Sequence, residues 1–232
     1  ASGKSSLANK LAKKIDGEIV NADSMQIYKD LEILTARPKP EKNDPNHHLY
    51  GFVNGEELWS VGKWINEAKK VTEKILRKSS IPIIVGGTGL YFKAVTDGLS
   101  PIPDINREIR DNLNAELNSK GLESLYNELK FKDIKAYESI DKNDQQRILR
   151  ALEVYRGSGK KISEYWKLDR TKVFEDNFIK IKLSTDREKL YKRCDDRCDD
   201  MFQLGAVEEV KSLIELNYDN KAPILNAIGV SE

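Results

Sequence analysis

Three short stretches carry side chains able to do phosphate or proton chemistry. The first is ASGKSS at residues 1–6, followed by Leu7, Leu11 and Ile15 at helical spacing. A Gly-Lys-Ser run that opens a helix is the second half of a phosphate-binding loop. The N–H groups of a first helical turn have no partner in the helix and attract oxyanions. Ala1, Ser2, Gly3, Lys4 and Ser5 are therefore candidate phosphate ligands, with Lys4 as a point charge and the Ser5 hydroxyl as a ligand for Mg²⁺. The second is Asp23, after the strand pattern EIVNA (18–22). Ligands of open α/β sheets bind outside the carboxyl ends of the strands. An aspartate there can be a general base or hold Mg²⁺ through water, or it can simply turn the chain. The third is Gly86-Gly87-Thr88-Gly89, after the apolar run IPIIV (81–85). Its glycines let backbone approach a ligand, or make a tight turn, and Thr88 offers a hydroxyl. A typical NTPase has a metal-holding aspartate at this point, so Gly-Gly-Thr weakens an ATPase reading.

Residues 146–161 read QRILRALEVYRGSGKK. Five cations (Arg147, Arg150, Arg156, Lys160, Lys161) face one acid, Glu153, beside an apolar stripe of Ile148, Leu149, Leu152 and Tyr155. Such a strip suits phosphate-backbone contact, and equally a solvated helix face. Arg193 and Arg197, four apart on a predicted helix, could clamp a diphosphate or pair with Asp195, Asp196, Asp199 and Asp200, which is the plainer reading. Cys194 and Cys198, with no third soft ligand nearby, read as thiols rather than a Zn²⁺ site. His47-His48 reads as structural, with no acid partner at metal spacing.

These residues need a scaffold. A helix over 4–14, a strand at 18–22, a helix near 60–78 with Val61, Trp64, Ile65, Ala68, Val71 and Ile75 on one face, and IPIIV alternate as in an α/β protein. The continuous apolar IPIIV predicts a strand buried on both faces of a parallel sheet. Past Ser100-Pro101-Ile102-Pro103 the patterns turn helical and charge-rich, until FIKIKL (178–183) predicts a returning strand and 186–216 a long helical stretch. The expected fold is an α/β, P-loop-type parallel-sheet core with crossover helices and a helical insertion. Residues 1–100 form the first part of the core, 101–172 the insertion and 173–232 the second part of the core.

Composition narrows the partners. The 232 residues hold 39 Lys plus Arg against 38 Asp plus Glu, a formal net charge of +1. A polyanion must therefore be gripped by a local patch rather than by the whole surface. No run approaches the roughly 18 apolar residues of a membrane span. Two cysteines cannot build a disulfide framework, so the expected compartment is reducing and cytoplasmic.

From residues alone, a small-metabolite kinase fits as well as any other phosphate-binding enzyme. Longer strings separate the readings. ASGKSSLA, NADSMQIYKDLEILTARP (21–38), HHL (47–49), PIIVGGTGLYFKAV (82–95), DGLSPIP (97–103), NDQQRILRALEVYRGSGK (143–160) and RCDDMFQLGAVEEVKSL (197–213) stand in an order that resembles the tRNA dimethylallyltransferases. The resemblance spans essentially the whole chain. It departs at Leu34, where the family usually has Gly, at Arg37, where it often has Lys, and at AIGVSE, where AIGYKE is more usual.

The resemblance implies a reaction: a dimethylallyl group passes from its diphosphate to N6 of adenosine 37 in tRNA. It implies Asp23 as the base, Thr88 as a hydrogen-bonding partner near the bridging oxygen, and Arg197 as a diphosphate ligand beside the Gly3–Ser5 loop. Asp23, Ser24, Met25, Gln26, Thr88, Arg110, Gln146, Arg147, Ile148, Leu149 and Arg150 match tRNA contacts. Mg²⁺ at Ser5, tRNA and dimethylallyl diphosphate as partners, and a monomer complete the expectation. The family's loop begins upstream of Ala1 with Gly-Pro-Thr and a first core strand, so residues 1–232 alone are expected to be unstable or inactive.

Overall fold

The computed structural model describes residues 2–175 and 178–231. Its elements are α1 (Lys4–Ile15), β1 (Gly17–Asn21), β2 (His47–His48), α2 (Val61–Arg77), β3 (Ile81–Val85), α3 (Gly89–Asp97), α4 (Arg107–Lys132), α5 (Ile134–Ser139), α6 (Gln145–Ser158), α7 (Ile162–Tyr165), α8 (Arg187–Gln203) and α9 (Ala206–Glu215). They fall into two units. One comprises Ala1–Asp97 with Lys172–Glu232, the other Gly98–Thr171.

The first unit is an α/β layer around a parallel sheet in the order β2-β1-β3. Parallel neighbours need a crossover, and α2 supplies it between β1 and β3. Ser60 starts α2 by accepting the Lys63 N–H on its hydroxyl, and Trp64, Ile65, Ala68, Thr72 and Ile75 form its buried face. On α1 the packing face is made by Ala8 and Ala12, which meet Ile19, Ile83 and Val85, while Leu7 and Ile15 stay exposed. Small residues serve there because the helix passes close to the sheet. A Cβ on Gly17 would lie 3.0 Å from the Ile81 carbonyl and 3.3 Å from Ala12 Cα.

Two strand expectations are corrected. IPIIV forms β3 at the predicted residues, but it is half-buried with Ile81 exposed, and among the described residues it pairs on one side only, with β1. The fully buried strand is β1, GEIVN, although it carries Glu18 and Asn21. Position in the sheet decides burial, and both polar side chains find partners there. FIKIKL (178–183) forms no strand; Ile179 is 93% and Ile181 62% exposed. Its alternation suits a strand, yet among the described residues no neighbour completes a hydrogen-bond ladder with it, and strand preference alone fixes nothing. The long C-terminal helical stretch divides into α8 and α9 at Gly205, whose φ of 96° suits glycine.

The second unit is helical. α4 breaks at Gly121 (φ 77°, ψ 165°) and packs with α5, α6 and α7 around Leu113, Leu125, Leu129, Ile148, Leu152 and Tyr165. Asp144 caps α6 by accepting the Arg147 N–H, and Gly159 ends that helix in the left-handed region. Among the described residues, no helix is long and apolar enough to cross a membrane.

Candidate active site

The carboxyl ends of β1 and β3 are drawn together at Gly86. Ala22 N–H donates to the Val85 carbonyl (2.8 Å) and Thr88 N–H to the Ala22 carbonyl (3.1 Å). A Cβ on Gly86 would lie 2.0 Å from that same Ala22 oxygen, so only glycine fits. This approach brings Thr88 against the segment that follows β1. Ser24 N–H donates to Thr88 Oγ1 at 2.9 Å, and Thr88 Oγ1 donates to Ser24 Oγ at 3.2 Å.

Asp23 sits in the middle of this construction and is half-buried. Its Oδ1 accepts the Met25 N–H at 3.0 Å, an Asx turn that fixes the carboxylate plane. Its Oδ2 faces the glycine turn, 3.2 Å from where a Gly87 Cβ would be. No hydrogen bond engages Oδ2 among the described residues, so one oxygen is held and the other is open to accept a proton. Burial together with the Asp23 charge pushes the Tyr50 hydroxyl well up, so that phenol stays neutral at physiological pH. Burial, Tyr28 and Asp23 do the same to Tyr91.

The start of α1 is level with this edge. A helix of 12 residues spans about 18 Å and returns through the one-residue turn at Asp16 into β1, whose five residues span about 17 Å. Gly3 precedes the helix at φ 84°, and no side chain caps the first turn. Lys4 and Ser5 are exposed, and Lys4 Nζ donates to Ser2 Oγ at 3.1 Å. An uncapped first turn with a lysine and a serine hydroxyl can hold phosphate oxygens. Ala1 lies outside the described residues. No cluster of three acidic, histidine or cysteine side chains could hold a metal among the described residues. The donor set therefore fits Mg²⁺ only as an ion shared between Ser5, water and phosphate, the way that cation is usually held.

Gln26 and Met25 are structural in this state. Gln26 Nε2 donates to the Thr35 (2.8 Å) and Ala36 (3.2 Å) carbonyls, and Met25 packs on the cluster of Ile27, Leu31, Leu213 and Ile224. Arg193 and Arg197 lie on α8, a helix with no buried residue, and among the described residues no ion pair or hydrogen bond joins either to a neighbouring aspartate, to Asp23 or to Thr88. Cys194 and Cys198 are free and exposed. His48, read as structural with no acid partner at metal spacing, pairs across the sheet with its Nε2 2.6 Å from Glu18 Oε2. Burial would raise the Glu18 carboxyl, but hydrogen bonds from His48, Lys78 and Asn46 outweigh it and hold the group below the usual range.

In the helical unit the predicted contacts separate. Arg147 is 74% exposed beside Asp144 (3.3 Å), and Gln146 is exposed. Arg150 and Arg110 approach the buried Glu153 at 3.1 and 3.9 Å. Ile148 and Leu149 are core residues, 0% and 7% exposed, so their side chains pack inward and set the face that Arg147 presents. Arg156 also leaves the basic strip. It is clamped by Glu116 (2.5 Å) and Glu128 (2.7 Å), which hold it firmly protonated.

Sequence reading missed two residues. Glu209 of α9 accepts the N–H groups of Glu32, Ile33 and Leu34 at 2.7–3.1 Å and ties down the loop after Asp23. Asn21 ends β1 fully buried. A carboxylate on a surface-type helix gave no signal; an amide inside a strand pattern did.

Comparison with known proteins meets this site with a family. Residues 26–232 match the family of IPP transferases. A tRNA dimethylallyltransferase of Pelagibacter ubique is 44% identical over all of this chain and 74% of its own length, and one of Rhizobium etli is 42% identical over all of this chain and 79% of its own. The crystal structure of a full-length tRNA isopentenylpyrophosphate transferase from Bacillus halodurans matches all of this chain and 72% of its own, with a TM-score of 0.65 at 31% identity. A eukaryotic dimethylallyltransferase acting on tRNA matches 95% of this chain and 55% of its own, with a TM-score of 0.80 at 34% identity. With a glycine-bound strand edge that offers an open carboxylate oxygen beside a threonine, and with relatives of this closeness along its whole length, the chain belongs to the tRNA dimethylallyltransferases.

Proposed function

We propose that this protein transfers a dimethylallyl group from dimethylallyl diphosphate to N6 of adenosine 37 in a tRNA, releasing diphosphate. The observation that carries the reading is Asp23. Its Oδ1 is fixed by Met25 and its Oδ2 is open, on the same strand edge as Thr88. The adenine N6 lone pair is delocalised into the ring and attacks poorly unless a base takes its proton. Asp23 Oδ2 accepts that proton as nitrogen bonds to the allylic carbon and the carbon–oxygen bond breaks. The electron pair of that bond leaves with diphosphate. Its growing charge is met by the amides of Gly3 to Ser5 and by the Lys4 ammonium. Thr88, released from Ser24 by rotation of its hydroxyl, donates toward the bridging oxygen. Ser5 would hold a Mg²⁺ ion here, which would supply further charge neutralisation. Arg197 and Arg193 are diphosphate ligands in this reading, supported by the family resemblance and by their place on α8, a helix that buries none of its residues.

The helical unit takes the anticodon arm, with Arg147, Gln146, Arg150 and Arg110 on its polar side. A base inside a stack is out of reach, so adenosine 37 is drawn out before reaction. A monomer in a reducing cytoplasm accords with two free, exposed thiols.

The test is incubation of the full-length parent protein with labelled dimethylallyl diphosphate and an anticodon stem-loop bearing A36-A37-A38. Label should enter the RNA and disappear when position 37 is changed to guanosine. γ-Phosphate transfer from ATP to a small metabolite, with no label in RNA, would replace this reading by a kinase.

A further inference from the structure

The function proposed above gives no part to Asn21, yet the structure gives it every partner it can use at the base of the site. Asn21 is 0% exposed. Its Oδ1 accepts the Asp23 N–H at 2.9 Å, and its Nδ2 donates to the Asp23 carbonyl at 3.1 Å and to the Leu49 carbonyl at 2.9 Å. Both main-chain polar groups of Asp23 are thus held by one carboxamide. Asn21 is itself braced, because its carbonyl accepts Trp64 Nε1–H at 2.9 Å. Trp64 is fully buried and stacks on the Tyr91 ring at 4.2 Å, so the brace reaches α2 and α3.

β1 ends at Asn21, and beyond Ala22, whose N–H and carbonyl still pair with Val85 and Thr88, main-chain pairing to β3 no longer fixes the chain. A base must nonetheless meet its proton within hydrogen-bond reach, and a displacement of about 1 Å at a reacting centre can cost roughly 100-fold in rate. We infer that Asn21 is a positioning residue: its main chain is anchored by Trp64, and its carboxamide fixes the backbone of Asp23 and so aims the Asp23 Oδ2 at the amine. A carboxamide is required because the clamp needs a donor and an acceptor on one short, uncharged side chain. A carboxylate at this position would confront two carbonyl oxygens and place a second buried negative charge beside Asp23, raising its pKa.

This inference rests on Asp23 being the base. The test measures prenyl transfer by the full chain and by Asn21→Ala, Asn21→Asp, Trp64→Phe and Asp23→Ala. Asn21→Ala should lower kcat by about 10- to 100-fold, per folded molecule by circular dichroism, with KM for tRNA and for dimethylallyl diphosphate little changed. Asn21→Asp should move the acidic limb of the kcat–pH profile to higher pH. Trp64→Phe keeps an aromatic ring but removes the indole N–H, and should lower kcat several-fold at unchanged KM; it serves alone if the Asn21 variants do not fold. An inactive Asp23→Ala alongside unchanged kcat per folded molecule in Asn21→Ala or Trp64→Phe, or an unmoved acidic limb in Asn21→Asp, overturns the inference and leaves the proposed function standing. A fully active Asp23→Ala overturns both.

Discussion

The strand edge of the α/β unit and the basic face of the helical unit hold their polar groups by opposite means. At the strand edge, main chain does the holding. Met25 N–H fixes Asp23, Ser24 N–H fixes Thr88, and the whole turn closes on a glycine that a single methyl group would force apart. In the helical unit, side chains hold one another: Arg147 with Asp144, Arg150 with Glu153, Arg156 with Glu116 and Glu128. Buried backbone clamps resist displacement, because breaking one strands a desolvated group. The exposed Arg147–Asp144 pair contributes about 0–1 kcal/mol and exchanges readily, so that arginine can trade a carboxylate for a phosphate. Reacting atoms suit the first arrangement and a polyanion the second.

The sharpest way to break this comparison is Asp23→Ala. Turnover should fall by about 100-fold or more with tRNA affinity nearly unchanged, read from single-turnover labelling beside filter binding. Gly86→Ala follows. With a Cβ 2.0 Å from the Ala22 carbonyl, it should cost about 1–3 kcal/mol or more and uncouple Thr88 from Ser24. Denaturant midpoint and rate should drop together.

Ile148→Ala should destabilise the helical unit by about 2–5 kcal/mol, the range for emptying a core site. That loss should appear in chemical denaturation and would confirm that this position is packing rather than contact. Arg147→Ala should weaken tRNA binding uniformly and reduce the slope of log affinity against log salt by about one, measured from 50 to 200 mM salt. If affinity fell and the salt slope stayed, Arg147 would be a structural residue.

The smallest effect concerns acid. The Arg156 hydrogen bond, with help from Lys120, holds the Glu116 carboxyl at about 2, against an ordinary 4.5. Its folded pKa is depressed, so the stabilisation is complete above about 4.5 and lost as pH falls toward about 2. Glu116→Gln should flatten the acid limb of the stability curve in that window and barely change stability at neutral pH once Arg156→Met removes the partner as well.

Legibility in the sequence followed the physics of each signal. Local periodicity placed α1, α2 and β3 within a residue or two, because spacing of apolar groups and capping residues act over one or two turns. The same reasoning misjudged burial. IPIIV reads as a strand buried on both faces and is half-buried among the described residues, whereas GEIVN carries two polar side chains and is wholly buried. Apolar content says that a strand prefers burial, but neighbours decide whether it gets it. Likewise the basic strip of residues 146–161 was visible as composition. That Arg156 is occupied by Glu116 and Glu128, from residues about 30 to 40 positions away, was not.

Asp23, Thr88 and the Gly3–Ser5 loop were found from residue type and from their places after strand patterns or before a helix. What the sequence by itself determined is therefore the chemistry on offer, since a carboxylate, a hydroxyl and an uncapped helix start keep their reactivity wherever they lie. Only the tertiary structure decided which carboxylate oxygen is open, which amide holds it and which arginines are already engaged. Those depend on pairings made through space between distant segments, and hydrogen-bond partners more than about one turn apart leave no periodic trace in the chain.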